Sequence, residues 1–221
     1  MEELKISCLY SLEETIAKEL FSEAVYPWEL LPKIGRFIEQ LGNKLPEDKF
    51  EKKGDNIWIA KSAKVYPTAY INGPCIIDEE AEIRHGAFIR GNAIVGKGAV
   101  VGNSTELKNV ILFNKVQVPH YNYVGDSILG FKAHMGAGSI TSNVKSDKTL
   151  VTIKCEADKI ETGLKKFGAM LGDNVEVGCN SVLNPGTIIG KASNIYPTSC
   201  VRGYVPPNSI FKTKDIIIKK M

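Results

Sequence analysis

The sequence predicts an all-β protein built as a triangular parallel β-helix, preceded by a short helical segment. The first observation is an aliphatic residue at every sixth position from residue 59 to residue 107. These positions are Ile59, Val65, Ile71, Ile77, Ile83, Ile89, Val95, Val101 and Leu107. The second is a small residue four positions after nearly all of them, and the third is the return of both patterns from Leu171 to Val201. A period of six fits neither an α-helix nor an ordinary alternating strand.

A hexapeptide of this kind makes one flat face and turns one corner. The aliphatic side chain fills the interior, and the small residue lies at the tight corner. Three hexapeptides complete a coil, so residues eighteen apart stack at the strand spacing of about 4.8 Å. The count shifts by one residue at Leu112 and again at Leu129. We therefore expect residues 57–214 to form the β-helix.

Residues 1–50 have helical rather than hexapeptide patterning, and we expect them to form a helical N-terminal cap. Ser11 and Glu14 have capping-box spacing at the start of one predicted helix, and Gly42 ends a second. Residues 43–55 are charged and predict a linker. Because the end of a β-helix exposes unpaired strand edges, we expect the helices to cover that end.

Two further segments leave the hexapeptide count. Residues 144–170 are rich in lysine and must project from a coil as a loop, either as a solvated surface or with a function of their own. Residues 215–221 follow the last coil as a C-terminal tail.

Composition restricts the possible environment and partners. A net charge of +3 is too small to indicate a nucleic-acid or membrane partner. Five cysteines without paired spacing indicate reduced thiols rather than a disulfide framework. The acidic N-terminus does not resemble a signal peptide, and no apolar run has membrane-spanning length. We therefore expect a soluble, cytoplasmic protein.

A candidate anion site follows from the stacking rule. Arg90 and Lys108 are eighteen residues apart in the same register. This spacing predicts that both lie on one outer face, with their backbones about 5 Å apart. Like charges opposed on a sheet are destabilising unless something compensates for them. Glu106 could do so, or the two cations could hold an anion such as phosphate.

His120 is the candidate catalytic residue. It occupies the third position of the hexapeptide VPHYNY, where a side chain points outward, on the face next to Arg90 and Lys108. Past the one-residue shift, Gly125 continues the Arg90–Lys108 face in the next coil, with Tyr123 at the corner before it. A lone histidine is usually a surface residue, but its position beside a predicted anion site favours a role as a base.

At these positions the chain resembles a known family. The segments that carry the resemblance are IRG (89–91), ELK (106–108), HYNYVGD (120–126) and MGAGSITSN (135–143). They are similar to the acetyltransferase domain of the bacterial bifunctional glucosamine-1-phosphate N-acetyltransferase and N-acetylglucosamine-1-phosphate uridylyltransferase. Related archaeal sugar-1-phosphate enzymes have the same segments, and the resemblance extends over residues 57–214.

The resemblance implies a left-handed β-helix that forms a homotrimer with sites between subunits. It also implies transfer of an acetyl group from acetyl-CoA to an amino-sugar phosphate such as glucosamine 1-phosphate, with His120 as the general base. This reaction would belong to amino-sugar or sugar-nucleotide biosynthesis, such as that of UDP-N-acetylglucosamine. By the same resemblance, the sugar phosphate is bound by Arg90, Lys108, Tyr123 and Asn143, and the thioester carbonyl by the backbone amide of Ala137.

Three other lysines are weaker candidates. Lys148 is the nearest equivalent of a family lysine in the loop after Asn143 and is a candidate acceptor ligand. Lys212 and Lys214 follow the last coil, close to where coenzyme A would lie, and are candidate ligands of its 3′-phosphate.

The chain also departs from the family pattern. The uridylyltransferase half is absent, His134 replaces a family asparagine, and the loop after Asn143 is longer. Together these departures bear on the identity of the acceptor sugar more than on that of the acyl donor.

Two alternatives remain. One is a zinc enzyme of the β-helical carbonic anhydrase type, which needs three converging histidines. The spacing of His85, His120 and His134 does not reproduce that pattern, so we expect no metal site. The other is a non-catalytic trimerising or regulatory module of a sugar nucleotidyltransferase system.

Overall fold

A computed structural model describes residues 1–155, 158–213 and 216–220. The predicted all-β class is confirmed: the chain forms a solenoid of stacked, mostly parallel coils with three flat faces. The first face contains the strands Ile57–Ala60, Cys75–Ile77, Ala93–Val95, Ala169–Leu171, Thr187–Ile189 and Tyr204–Val205. The second face contains Tyr70–Ile71, Phe88–Ile89, Ile140–Thr141, Val182–Leu183 and Cys200–Val201. The long strands Glu106–Leu112 and Tyr123–Leu129 begin on the second face and end on the first.

The third face is a separate sheet. Its parallel strands are Lys64–Val65, Glu82–Ile83, Val100–Asn103, Gln117–His120, His134–Met135, Glu176–Val177, Asn194–Ile195 and Ser209–Thr213. An antiparallel strand, Ile216–Lys219, pairs with the last of them. Among the helices of the described residues, none combines the length and the apolar character that crossing a bilayer requires.

The register of the coils follows the predicted repeat. Ile59 is opposite Ile77, and Ile77 is opposite Val95, so residues eighteen apart stack. Val95 is then opposite Leu112, and Leu112 is opposite Leu129, which confirms the one-residue shifts. From Ile77 onward these aliphatic side chains are fully buried, as expected for the interior of the solenoid.

The N-terminal segment differs from the first predicted helix. It contains the 3₁₀ turns Glu2–Leu4, Leu12–Glu14 and Pro27–Lys33 and the α-helices Ile6–Leu9, Lys18–Phe21 and Ile34–Gly42. The capping box expected at Ser11 does not form, because the Ser11 hydroxyl donates to Asp173 of a distant coil at 2.7 Å. A capping box forms instead between Tyr26 and Glu29. The second predicted helix is present, but its first part is 3₁₀ and contains Pro32, which cannot donate a backbone hydrogen bond.

The N-terminal segment lies along the first face, so the prediction that it covers the end of the β-helix is wrong. The phenol of Tyr10 donates to the carbonyl of Ile128, and the amide of Asp173 donates to the carbonyl of Leu9. The physical reason is a column of apolar side chains that point outward from the first face and would otherwise face water. This column consists of Ile76, Ile94, Ile111, Ile128, Met170 and Ile188, and all of them are fully buried.

The end of the second helix shows how closely it packs on the coils. Gly42 is the last helical residue, and a Cβ atom added there would lie 2.4 Å from the ring of Trp58. Gly42 is therefore needed for close approach rather than as the residue that follows the helix.

Two predicted irregular segments contain strands. Within the expected linker, Phe50–Gly54 pairs antiparallel with Ile57–Ala60 and buries Phe50. Within residues 144–170, Thr152–Cys155 pairs with Asp158–Glu161 in an antiparallel hairpin. Val151, Ile153 and Phe167 are fully buried, so part of this segment packs as core and is not a solvated loop.

Candidate functional site

His120 ends the strand Gln117–His120 at the corner between the third and second faces. Its backbone is held on both sides: its amide donates to the Asn122 side chain at 3.1 Å, and its carbonyl accepts from the Gly138 amide at 3.0 Å. Asn122 is almost fully buried and donates to the carbonyls of Gly136 and Ser139. The imidazole is exposed and has no hydrogen-bond partner within the described ranges. A fixed backbone therefore presents a free imidazole to solvent.

Arg90 and Lys108 lie in adjacent coils on the second face. The amide of Arg90 donates to the carbonyl of Leu107 at 2.8 Å, and Lys108 is opposite Gly125. Each cation has its own carboxylate. Arg90 donates to Glu106 at 2.7 Å, and this contact raises the pKa of the guanidinium. The like charges on this face are thus compensated within the chain.

The carboxylate that pairs with Lys108 belongs to Asp126. Its two oxygens lie 2.8 and 3.1 Å from the Lys108 ammonium. They also accept from the side-chain amides of Asn109 at 2.9 Å and Asn143 at 2.5 Å. Asp126 is only 3% exposed, so these contacts replace the water that its charge has lost. Asp126 therefore ties together residues from three successive coils.

Sequence reasoning missed Asp126 and Asn109. Asp126 is the last residue of the quoted segment HYNYVGD, and its position after Gly125 at a corner was the only available signal. Its partners could not be deduced from spacing alone, because the stacking rule places backbones and not the side-chain rotamers that bring Lys108, Asn109 and Asn143 to its carboxylate.

Tyr123 and Asn143 join the same cluster. The Asn143 amide nitrogen is 3.2 Å from the Tyr123 hydroxyl as well as bonded to Asp126. Burial raises the pKa of Tyr123, and the negative charges of Asp126 and Glu106 raise it further. The phenol therefore keeps its proton at neutral pH and can donate a hydrogen bond.

Ala137 lies at the corner one coil beyond His120. The flanking amides are engaged, because Gly136 donates to Val177 and Gly138 donates to His120. Within the described part of the chain, the amide of Ala137 makes no hydrogen bond, while its carbonyl accepts from Asn180 at 2.9 Å. Ala137 thus offers a free backbone donor near His120.

The three additional lysines do not join this cluster. Lys148 is exposed, and within the described ranges its side chain makes no hydrogen bond or ion pair. Lys212 is exposed on the third face, with its ammonium 5.5 Å from the centre of the Tyr196 ring. Lys214 lies outside the described residues.

The other two histidines have partners of their own. His85 is 2.8 Å from the Thr68 hydroxyl, and His134 is 2.8 Å from the Glu176 carboxylate on the third face. Among the described residues, no group of three or more His, Cys, Asp or Glu side chains is arranged to hold a metal ion.

Comparison with known proteins confirms the resemblance seen in the sequence. Residues 71–209 match the family described as the GMPPB C-terminal domain. The bifunctional protein GlmU of Methanococcus maripaludis (strain C5) is 31% identical, over 88% of this chain and 48% of that protein. A bifunctional sugar-1-phosphate nucleotidylyltransferase/acetyltransferase of Sulfurisphaera tokodaii is 32% identical, over 72% of this chain and 44% of that protein. The chain thus spans about half the length of these relatives or less.

Solved structures are more distant. The polySia-specific acetyltransferase NeuO aligns over 79% of this chain and 82% of its own, with 14% identity and a TM-score of 0.44. A likeness of that size does not bear on the substrate or the site.

Proposed function

Since the chain belongs to the family of the GMPPB C-terminal domain, we propose that it is an acetyl-CoA-dependent acetyltransferase acting on an amino-sugar phosphate such as glucosamine 1-phosphate. The observation that carries this proposal is the free, exposed imidazole of His120 beside the Arg90–Lys108 face. The proposed reaction belongs to amino-sugar or sugar-nucleotide biosynthesis, and we expect a cytoplasmic homotrimer.

In this proposal His120 acts as the general base. The amine of the acceptor must lose a proton to attack a thioester, and imidazole is the side chain that most often serves as a general base. The backbone contacts of His120 to Asn122 and Gly138 hold it in place without occupying its ring nitrogens. The ring can therefore accept the proton directly.

Arg90 and Lys108 are proposed to bind the phosphate, but not in the same way. The Glu106 side chain is 31% exposed, so a doubly charged phosphate can displace it from Arg90 while Glu106 turns to water. The Asp126 side chain is 4% exposed and cannot leave without losing its hydrogen bonds. We therefore expect Lys108 to bind the phosphate while still paired with Asp126, with Tyr123 and Asn143 positioning the sugar.

The donor is proposed to lie at the corner beyond His120. The free amide of Ala137 can donate to the oxyanion that develops on the thioester carbonyl. Lys212 and Lys214 are proposed to meet the 3′-phosphate of coenzyme A. Lys148 is retained as a proposed acceptor ligand, which requires its side chain to turn toward the site.

A thiol-release assay with acetyl-CoA and a panel of amino-sugar 1-phosphates tests the function. We expect His120→Ala to lower turnover by about 10²–10⁴-fold, the usual effect of removing a positioned acid–base group. His85→Ala is the matched control, because His85 is also an exposed histidine, in the turn that follows the strand Glu82–Ile83 of the third face. Normal turnover by the His120→Ala protein would exclude His120 as the base.

One observation favours the second candidate, a non-catalytic module. Arg90 and Lys108 are both neutralised by carboxylates of the chain, as expected if their role is to hold coils together. This alternative predicts no thiol release with any acceptor, and a loss of thermal stability on removing either cation that is larger for Lys108, whose partner Asp126 is buried.

A further inference from the structure

A polar cavity of about 430 Å³ lies next to Asn143, and the flanking residues Ser142 and Val144 line it. Its walls come from the segment that follows the strand Ile140–Thr141 and from the next two coils, and include Ser142, Lys145, Asn184 and Arg202. A cavity of this size is within the range of small-molecule sites.

Three of the residues that line the cavity lie in the same column of outward-pointing positions as Arg90 and Lys108. Lys108 is opposite Gly125, and the strand pairing places Ser142, Asn184 and Arg202 at the equivalent position in the three following coils. Three strand spacings separate Gly125 from Arg202, which amounts to about 14 Å between backbone positions. The proposed phosphate site and the cavity are thus consecutive parts of one surface.

Gly125 lies between the proposed phosphate site and the cavity. A Cβ atom added there would lie 2.5 Å from the Tyr123 hydroxyl and 2.9 Å from the Asn143 amide nitrogen. The Tyr123 hydroxyl and the Asn143 amide thus lie directly over Gly125, which is buried, and they form the surface between the Lys108 ammonium and Ser142. A ligand that extends from one part to the other therefore runs across these two polar side chains.

The charge of the cavity favours an anion. Lys145 is 3.4 Å from Asp147, so its charge is already largely compensated. Arg202 is exposed and has no ion pair or side-chain hydrogen bond within the described residues. Its guanidinium, beside the hydroxyl and amide groups of Ser142 and Asn184, suits a phosphate and the hydroxyls attached to it.

We propose that this cavity binds the nucleotide part of the acceptor, so that the preferred acceptor is a nucleoside-diphosphate-linked amino sugar rather than the bare sugar 1-phosphate. The inference rests on the proposed function and specifies its substrate class. A sugar 1-phosphate with its amine at His120 and its phosphate at Arg90 and Lys108 ends before Ser142. A nucleotide joined to that phosphate through a phosphoanhydride continues past Gly125 and reaches Arg202.

Calorimetric titration of the full chain with UDP-glucosamine, GDP-glucosamine and glucosamine 1-phosphate tests the inference. We expect at least one nucleotide-linked sugar to bind about tenfold or more tightly than glucosamine 1-phosphate, which corresponds to about 1.4 kcal/mol. Arg202→Ala should remove that advantage and leave glucosamine 1-phosphate binding unchanged. Arg36→Ala is the matched control, because Arg36 is an exposed arginine on the helix Ile34–Gly42.

Equal affinities for the three ligands would overturn the inference, as would an advantage that persists in Arg202→Ala. Thiol release is measured separately with the same compounds. Acetylation of glucosamine 1-phosphate without tighter binding of either nucleotide sugar would refute the cavity assignment and support the transferase. Arg202-dependent nucleotide binding with no thiol release would refute the transferase and support the cavity as a nucleotide site.

Discussion

Replacing Asp126 with asparagine removes one negative charge from the centre of the site while preserving its shape. Asp126 has a φ of 48°, a left-handed conformation that asparagine adopts at a lower cost than alanine. Asparagine is therefore the variant that isolates the charge from any backbone strain.

The expected loss of stability follows from the contacts of Asp126. Its carboxylate accepts hydrogen bonds from Lys108, Asn109 and Asn143 while only 3% exposed. Hydrogen bonds to a charged group contribute about 1.5–3 kcal/mol each, against about 1 kcal/mol for neutral ones. In the variant an NH₂ group replaces one carboxylate oxygen and can no longer accept a hydrogen bond. Lys108 is 26% exposed and recovers part of its hydration. We expect a loss of about 2–4 kcal/mol, because the three contacts share one carboxylate and do not add fully.

Thermal unfolding followed by circular dichroism measures this loss. For a chain of this length each kcal/mol shifts Tm by about 2–4 °C, so Asp126→Asn should lower Tm by at least about 4 °C. Glu106→Gln is the matched control, because it makes the same chemical change in the neighbouring pair, which is partly exposed and contributes less. Equal shifts in Tm for the two variants would refute the view that burial makes the Asp126 contacts the stronger ones.

One further substitution tests the packing of Gly42, and a thiol-labelling experiment tests the burial of Cys75. Gly42→Ala should lower Tm despite the better helix propensity of alanine, because the added methyl group meets the ring of Trp58. Overpacking of this kind costs about 1–3 kcal/mol. An unchanged or raised Tm would contradict this expectation. Burial raises the pKa of the Cys75 thiol to about 12, so at pH 8 it stays protonated in the folded chain. Thiol labelling followed by peptide mapping should therefore detect modification of the exposed Cys179 before unfolding and of Cys75 only after unfolding. Rapid labelling of Cys75 in the folded protein would contradict the burial of its thiol.

The sequence alone determined the solenoid and its register. A β-helix repeats a local unit, so the period of six in Ile59, Val65 and Ile71 already specifies which side chains point inward. The same count predicted that Arg90, Lys108 and Gly125 share one face and that the register shifts at Leu112, and the strand pairing agrees. These features depend on neighbours along the chain and on a fixed stacking distance, both of which are readable from spacing.

The path of the N-terminal segment was decided only in the tertiary structure. Ser11 has the spacing of a capping box, yet its hydroxyl bonds Asp173, 162 residues away, because that contact also secures the segment on the first face. The apolar column that includes Ile76, Ile94 and Ile111 is visible in the sequence, but spacing cannot say which segment covers it.

The electrostatics of the site were likewise decided by the tertiary structure. Spacing placed Lys108 opposite Gly125, but it did not show that the ammonium would reach Asp126, one residue further on, together with Asn109 and Asn143. Such contacts depend on side-chain rotamers and on the left-handed backbone conformation of Asp126. A periodic pattern specifies where a backbone lies, whereas the partners of a buried charge depend on every group that packs around it.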